Sequence, residues 1–245
     1  MRFLLTYSLC EYIADMATKP SPTTYGLLGM LAVRSWTGYE LTQQLRRSLR
    51  YVWPSSEGHL YREQKRLVDL GWARVVDETS NGRLRHRYLI TAQGEEALAA
   101  WLRTSPAPPR FEIEGMLRLF YGSQGSASEL AAAMEETSRS ARTMLEELVG
   151  FAAEYIAADG PLWMLEHDVG GAGARIEWRG REMYPERLHV IALVIDGTTR
   201  LLEALADFAD ATATEIAAWE SPTSPSLTSA TRARLEAVVA RHTRT

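Results

Sequence analysis

The first hundred residues alternate apolar and polar positions at helical spacing. Residues 24–33 are dense in Leu, Met and Ala, which predicts a buried helix. Leucines then recur every four residues from Leu41 to Leu49. Thr37 and Glu40 precede them with the spacing of a capping box, in which each side chain binds a free backbone N–H of the helix start. We therefore expect two consecutive helices, the second ending near Leu49.

A third helix is predicted after Pro54, with Ser55 or Ser56 as its cap and an end near Gly71. At about 100° per residue, its apolar and cationic positions fall on opposite faces. Leu60, Gln64 and Leu67 share the inner face, and the outer face carries Arg62, Lys65 and Arg66. Such a helix packs on a core and offers positive charge to a partner.

Two short extended runs, residues 73–77 and 85–91, follow on either side of Asn81-Gly82. Both turn residues tolerate positive φ, so this pair predicts a tight β-hairpin. Thr91 can cap a fourth helix. The hairpin tip carries three arginines, Arg83, Arg85 and Arg87.

The second half of the chain predicts two long helices. Residues 105–109 form a stiff proline-containing linker, and a short helix is expected over residues 111–121. Ser126 and Glu129 form another capping box, which begins a helix that ends near residue 160. Residues 161–184 are glycine-rich and expected to be irregular, and a second long helix is predicted over residues 185–219.

Both long helices space their apolar residues alternately three and four apart, as coiled coils do. We expect the second of them to form the seam of a homodimer. The predicted seam residues are Leu188, Ile191, Ile195, Leu202, Leu205 and Ile216.

The charges are distributed unevenly. The whole chain has a net charge of −4, which by itself does not suggest a nucleic-acid partner. Residues 22–104, however, hold 12 Lys and Arg against 8 Asp and Glu, whereas residues 105–245 hold 13 against 21. A basic front half joined to an acidic back half predicts a polyanion-binding module attached to a different kind of domain.

These patterns predict a mainly α protein, a winged helix-turn-helix followed by a helical, coiled-coil-like dimerisation domain. The expected domains are a flexible extension over residues 1–21, a winged helix over 22–104, a dimerisation and effector domain over 110–220, and a flexible tail over 221–245 with a weak helix near its end.

Several other classes of protein are disfavoured. No apolar run approaches the roughly 20 residues of a membrane helix. Cys10 is the single cysteine, which excludes intrachain disulfides and fits a cytoplasmic protein. The five histidines are scattered, and no nucleophile, dinucleotide or phosphate-loop motif is present. We therefore expect no catalytic residues, no metal and no cofactor.

The order of three helices, hairpin and helix is typical of a winged helix, whose third helix enters the DNA major groove while the hairpin follows the backbone. Arg and Lys neutralise phosphates, and polar side chains on the outer helix face read base edges. The candidate DNA-binding residues are Tyr39, Ser55, Ser56, His59, Tyr61, Arg62, Lys65, Arg66, Arg83, Arg85 and Arg87.

Four segments resemble the PadR family of transcriptional regulators: residues 24–31, 37–41 and 87–94, and the His59-Leu60-Tyr61 triplet with Arg66. The resemblance is close over residues 22–104 and looser over 110–220. The family usually has Pro after the tyrosine, where this chain has Arg62, so operator preference is expected to differ.

The resemblance implies a repressor that binds a palindromic operator of double-stranded DNA as a homodimer and is released by a small aromatic effector. An effector pocket would be lined by Phe151, Trp163, Met164, Trp178 and Trp219, although core packing is the alternative role for each. The alternative function is a winged-helix adaptor that binds protein and not DNA.

Overall fold

The computed structural model describes residues 20–80, 83–169 and 176–243. They form two compact units, which divide between Pro109 and Arg110 at the end of the proline-containing segment. Residues 1–19, which hold Cys10 and most of the predicted extension, and the Asn81-Gly82 turn lie outside the described residues.

The first unit is a four-helix arrangement with a three-stranded antiparallel sheet of order β1-β3-β2, which confirms the predicted winged helix. Its elements are α1 (Pro22–Val33), β1 (Trp36–Thr37), α2 (Gly38–Leu49), α3 (Glu57–Asp69), β2 (Ala73–Ser80), β3 (Arg83–Ile90) and α4 (Ala92–Leu102). The short strand β1 was not expected from the sequence. It pairs Trp36 with Tyr88 and so ties the start of α2 to the hairpin.

Each helix of this unit begins at a hydroxyl side chain that accepts a backbone N–H three residues later. Thr37, Ser56 and Thr91 cap α2, α3 and α4, as their spacing predicts. At α1 the cap is Ser21, and Pro22 occupies the first helical position, where its missing N–H costs nothing.

Leucines from three helices fill the core of the first unit. The fully buried ones are Leu27, Leu28, Leu31, Leu41, Leu45, Leu60 and Leu67. Tyr88 and Ile90 of β3 pack against them, and Tyr25 stacks on Trp101 with ring centroids 4.8 Å apart. The core therefore holds α3 against both the helices and the hairpin.

The second unit is built on two long helices. Its elements are α5 (Glu114–Phe120), α6 (Ala127–Tyr155), α7 (Pro161–Glu166), β4 (Ile176–Trp178), β5 (Arg181–Met183), α8 (Leu188–Ala217) and α9 (Thr228–His242). The start of α6 packs against Ala213 and Ile216 near the end of α8, and Arg142 farther along α6 reaches Asp210. The two long helices are therefore antiparallel.

The connection between the long helices is more ordered than its composition suggests. Instead of irregular chain, the structure has the short helix α7 and the β4–β5 hairpin. Pro161 begins α7, and Gly180 closes the hairpin with a φ of 72°, a conformation open to glycine. After α8, helix α9 occupies most of the predicted tail, and all its residues are exposed. No helix in the described part of the chain has the length and apolarity to span a membrane.

Candidate nucleic-acid interface

Helix α3 presents two chemically distinct faces. Leu60, Gln64 and Leu67 are buried against the core, as their spacing predicts. Tyr61, Arg62 and Lys65 lie on the opposite face and are exposed. The side of α3 that solvent can reach therefore carries an aromatic hydroxyl and two cations.

The remaining candidates on α3 lie at its start and along its flank. The Ser56 hydroxyl accepts the His59 backbone N–H at 3.4 Å and so caps the helix. Ser55 and His59 are half-buried. Arg66 is also half-buried, with its guanidinium 3.9 Å from the Glu63 carboxylate. Arg66 is thus less available to a partner than Arg62 or Lys65.

Gln64 joins α3 to α2 from within the core. Its side-chain amide donates to the Gly38 carbonyl at 3.0 Å and to the Thr42 hydroxyl at 2.7 Å. Position 38 needs glycine because a Cβ there would lie 2.9 Å from the Gln64 side-chain oxygen. A buried amide with satisfied donors holds α3 at one angle to α2, since any other angle would leave polar groups unpaired.

Glu63 was not singled out in the sequence, yet it is the most buried acidic residue described in the first unit. The Ser21 hydroxyl donates to its carboxylate at 3.2 Å, and the Thr24 hydroxyl donates to the same oxygen. The carboxylate therefore links α3 to the first turn of α1. The sequence could have indicated this burial, because Glu63 comes directly before Gln64 and so borders the inner face of α3.

The β2–β3 hairpin forms the wing, and two arginines of its second strand differ in their contacts. Arg85 is exposed and lies opposite Glu78 in the strand register. Arg87 instead donates to both Glu78 oxygens, at 2.7 and 2.9 Å, and to the Ser35 carbonyl at 3.2 Å. The Arg87 guanidinium is therefore held by hydrogen bonds within the unit, whereas the exposed Arg85 side chain can contact a partner.

The Arg87 contact also affects Glu78. The hydrogen bond from Arg87 lowers the pKa of the Glu78 carboxyl, so this group stays ionised at neutral pH. Arg83 begins β3, and its side chain lies outside the described residues.

Two further tyrosines border the interface. Tyr39 lies in the first turn of α2 and is 67% exposed, which leaves its hydroxyl free to approach a backbone phosphate. Tyr88 faces inward from β3, and burial raises the pKa of its phenol. Tyr88 is therefore part of the packing beneath α3, whereas Tyr39 is on the surface.

The predicted effector residues do not lie in one place. Trp219 packs against the cluster of Ala127, Leu130 and Ile216 at the start of α6. Phe151 lies near the end of α6, roughly 30 Å away at 1.5 Å per helical residue. A single pocket lined by both is ruled out by this distance.

The other three predicted effector residues belong to the connection between the long helices. Trp163 and Met164 lie on α7, which packs against α6, and the Trp163 ring stacks on His167 at 4.2 Å. Trp178 on β4 is only 5% exposed, and no acceptor among the described residues binds its indole N–H.

The predicted dimer seam lies on the inner face of α8. At about 100° per residue its six members share a face with the buried Ala206, Ala209 and Ala213. Ala213 and Ile216 on this face pack against α6 of the same chain. Leu188 and Ile216 are buried within one chain, whereas the other four seam members are half-buried, so contact of the seam with a second copy stays a prediction.

Among the described residues, no group of three or more His, Cys, Asp or Glu side chains is arranged to hold a metal ion. Buried polar groups of the first unit hold α3 in place, and cations lie on the outer face of α3 and on the wing. A helix with a cationic outer face beside a hairpin, both packed on a leucine core, defines a winged-helix DNA-binding protein.

Comparison with known proteins supports this class. Residues 27–100 match the transcriptional regulator PadR-like family. The negative transcriptional regulator PadR of Bacillus subtilis is 26% identical over 148 residues, which are 60% of this chain and 81% of that protein.

Solved structures have the same fold. Bacillus subtilis PadR in complex with operator DNA superposes with a TM-score of 0.57 at 19% identity, covering 79% of this chain and 98% of that one. The same regulator in complex with p-coumaric acid gives a TM-score of 0.53 at 20% identity, over 79% and 97% of the two chains. Residues 27–100 are thus similar to the PadR-like family of transcriptional regulators, and the longer match is to a negative transcriptional regulator.

Proposed function

We propose that the protein is a homodimeric repressor, which binds a palindromic DNA operator through α3 and the wing and is released by a small aromatic molecule. The observation that carries the DNA-binding part is the outer face of α3. Arg62 and Lys65 are exposed there, opposite a buried face that holds the helix rigidly. A fixed cationic helix is what major-groove binding requires, because the contacts are then made without reordering the helix.

Within this proposal the candidate residues have different tasks. Arg62 and Lys65 contact bases or phosphates in the major groove, and Arg85 contacts the backbone beside the wing. Arg87 orients the wing through Glu78. Repression is supported by the name of the Bacillus subtilis relative, a negative regulator.

The test is a binding titration of the full chain against its own upstream DNA and a scrambled duplex, at two salt concentrations. The Arg62→Ala/Lys65→Ala variant is compared with Arg118→Ala/Arg139→Ala, which removes two exposed arginines from the second unit. We expect the first variant to lose affinity by roughly tenfold or more and to reduce the salt slope by about 2, with the control unchanged.

Equal losses in both variants would mean that binding is non-specific. Weak, equal binding of the unmodified chain to both duplexes would favour the adaptor function. A reporter gene under the upstream DNA separates repression, in which deletion of the protein raises expression, from activation.

For the effector, we propose a site at the end of the second unit where α7 and β4 lie, lined by Trp163, Met164 and Trp178. The support is the buried Trp178 indole N–H, which has no acceptor among the described residues. A carboxylate or phenolic oxygen on an aromatic ligand would accept from it, since an unpaired buried donor is costly. The complex of Bacillus subtilis PadR with p-coumaric acid makes this compound the first probe.

The effector test follows tryptophan fluorescence during a titration with p-coumaric acid. We expect the Trp178→Phe variant to lose the response and the Trp219→Phe variant to retain it, because Trp219 lies at the opposite end of the helix pair. Quenching in Trp178→Phe that matches the unmodified chain would place the effector elsewhere.

A further inference from the structure

The outer face of α3 changes in character from its start to its end. At about 100° per residue, positions 58, 62, 65 and 69 fall within about 60° of one another around the helix. They hold Gly58, Arg62, Lys65 and Asp69, and all four are exposed. The face begins without a side chain, continues with two cations and ends with a carboxylate that DNA phosphates would repel. The start of α3 is therefore the end suited to approach DNA.

The fold itself does not require glycine at position 58. Among the described residues, a Cβ there would meet nothing within 4 Å. The residue is in the first turn of α3, where alanine is the better helix former. Gly94 is different, because a Cβ at that position would collide with the Trp72 carbonyl. Gly58 thus leaves open a space that no described residue fills.

The neighbours of Gly58 border this space without closing it. The Ser56 hydroxyl accepts the His59 backbone N–H, and Glu57 forms an ion pair with Arg46 of α2. Arg62 lies one turn farther along the same face. Since side chains of a helix point back toward its start, the Arg62 side chain is directed toward position 58. An arginine therefore stands beside a bare patch of helix surface.

The dimensions of the DNA groove give this bare patch a use. A helix with its side chains is about 10–12 Å across, and the major groove is about 12 Å wide. A helix that fills the groove can bring its backbone against the base edges only where its side chains are short. A side chain at position 58 would hold the start of α3 away from the bases and would obstruct Arg62.

We propose that Gly58 is a specificity-determining residue of the DNA-binding surface. Its missing side chain brings the start of α3 against a base pair and leaves room for Arg62 to donate to the O6 and N7 atoms of a guanine. Arginine to guanine is the commonest specific contact in the major groove. This inference rests on the proposed function, since it names how α3 distinguishes one duplex from another.

The test compares binding of the full chain to two duplexes. The first is selected by the unmodified chain from a random pool, and the second is a scrambled duplex of the same composition. Gly58→Ala and Gly58→Leu add side chains of increasing size. The matched control is Gly29→Ala, because Gly29 lies in α1 of the same unit and its Cβ would likewise meet nothing within 4 Å.

We expect affinity for the selected duplex to fall as the side chain at position 58 grows, by roughly tenfold or more in Gly58→Leu. Affinity for the scrambled duplex should stay within about twofold, because non-specific binding depends on phosphate neutralisation. Gly29→Ala should bind both duplexes as the unmodified chain does. An equal loss on both duplexes would overturn the assignment of specificity to Gly58.

Thermal unfolding separates this role from a structural one. Both alanine variants should be at least as stable as the unmodified chain, since alanine fits a helical position and restricts the unfolded chain. Weaker binding by a Gly58→Ala variant of undiminished stability supports the proposal. A lower melting temperature in Gly58→Ala but not in Gly29→Ala would overturn it, because the glycine would then serve the fold.

The part assigned to Arg62 is tested by a double-mutant cycle. Gly58→Leu and Arg62→Ala are measured singly and together on the selected duplex. We expect the combined loss to be smaller than the sum, because the leucine obstructs a contact that the alanine has already removed. Additive losses would overturn the link between the two residues.

The outcomes also separate this inference from the proposed function. A Gly58→Leu variant that binds the selected duplex as tightly as the unmodified chain would overturn the inference and leave the proposed function intact. A random pool from which the unmodified chain selects no preferred sequence would overturn both.

Discussion

The two units of this protein bury apolar side chains of different sizes. The first buries seven leucines below 3% exposure, and its exposed cations lie around a complete core. The second buries mainly alanines between α6 and α8, such as Ala141, Ala206 and Ala209, and leaves many large apolar side chains exposed. This difference is the one expected if, as proposed above, the first unit binds DNA and the second forms the dimer.

The difference between the two cores agrees with the partners proposed for the two units, DNA for the first and a second copy of the chain for the second. A DNA interface needs charge and fixed geometry, so the buried polar groups of the first unit, Glu63 and Gln64, act as braces for α3. A protein interface needs apolar area, which the second unit retains in exposed side chains such as Leu193 and Leu201. Small residues let α6 and α8 approach closely. Because these side chains are small, their contact buries little apolar surface.

The largest expected effect tests the leucine core. Leu60→Ala removes a fully buried side chain beneath α3 and should lower the free energy of unfolding of the first unit by about 3 kcal/mol. Thermal unfolding followed by circular dichroism measures it, together with loss of DNA binding. Leu102→Ala is the control, because Leu102 is 68% exposed and should change stability by less than about 0.5 kcal/mol. Equal losses would show that the leucine core is not the source of stability.

The second prediction reverses the change in size. Ala209→Leu adds volume at a fully buried contact between the long helices and should destabilise the second unit by about 2 kcal/mol through overpacking. Ala132→Leu on the exposed side of α6 is the matched control, with no loss expected. An unchanged free energy of unfolding in Ala209→Leu would show that the contact between α6 and α8 does not depend on small side chains.

A third prediction separates two arginines of the wing. Arg85→Ala should leave the melting temperature unchanged and reduce the slope of log affinity against log salt by about 1, because an exposed cation is lost. Arg87→Ala should lower the melting temperature of the first unit, since Glu78 and the Ser35 carbonyl lose their donor. The reverse pattern, in which only Arg85 affects stability, would contradict the assigned roles.

The smallest effect is on acid stability. The Arg87 hydrogen bond lowers the pKa of Glu78, and the Ser126 backbone N–H lowers that of Glu129. A carboxyl with a depressed pKa in the folded state contributes stability above its unfolded pKa and loses it as the pH falls through the folded one. We therefore expect both units to weaken below the ordinary carboxyl range.

Urea denaturation at several acidic pH values measures this effect. Glu78→Gln should flatten the acid dependence of the first unit alone, and Glu129→Gln that of the second alone. A variant that flattened the profile of the other unit would show that the two do not titrate independently.

Local patterns in the sequence determined most of the first unit. The capping residues Thr37, Ser56 and Thr91 and the opposed faces of α3 could be predicted, because they depend on contacts within a few residues and on helical periodicity. The resemblance of the same segments to PadR regulators agrees with the match of residues 27–100 to the PadR-like family. Trp36 pairing with β3 could not be predicted, since two residues carry no periodicity.

Only the tertiary structure decided which residues the apolar face of α8 and the wing arginines contact. The spacing of Ile191, Ile195 and Leu202 indicates an apolar seam, but periodicity is the same whether the opposing helix comes from one chain or two. In the structure α6 packs against Ala213 and Ile216 on that side of α8, and Ile191, Ile195 and Leu202 stay half-buried. In the same way, Arg85 and Arg87 are equivalent in the sequence. The carboxylate of Glu78, nine residues before Arg87, binds Arg87 and leaves Arg85 exposed.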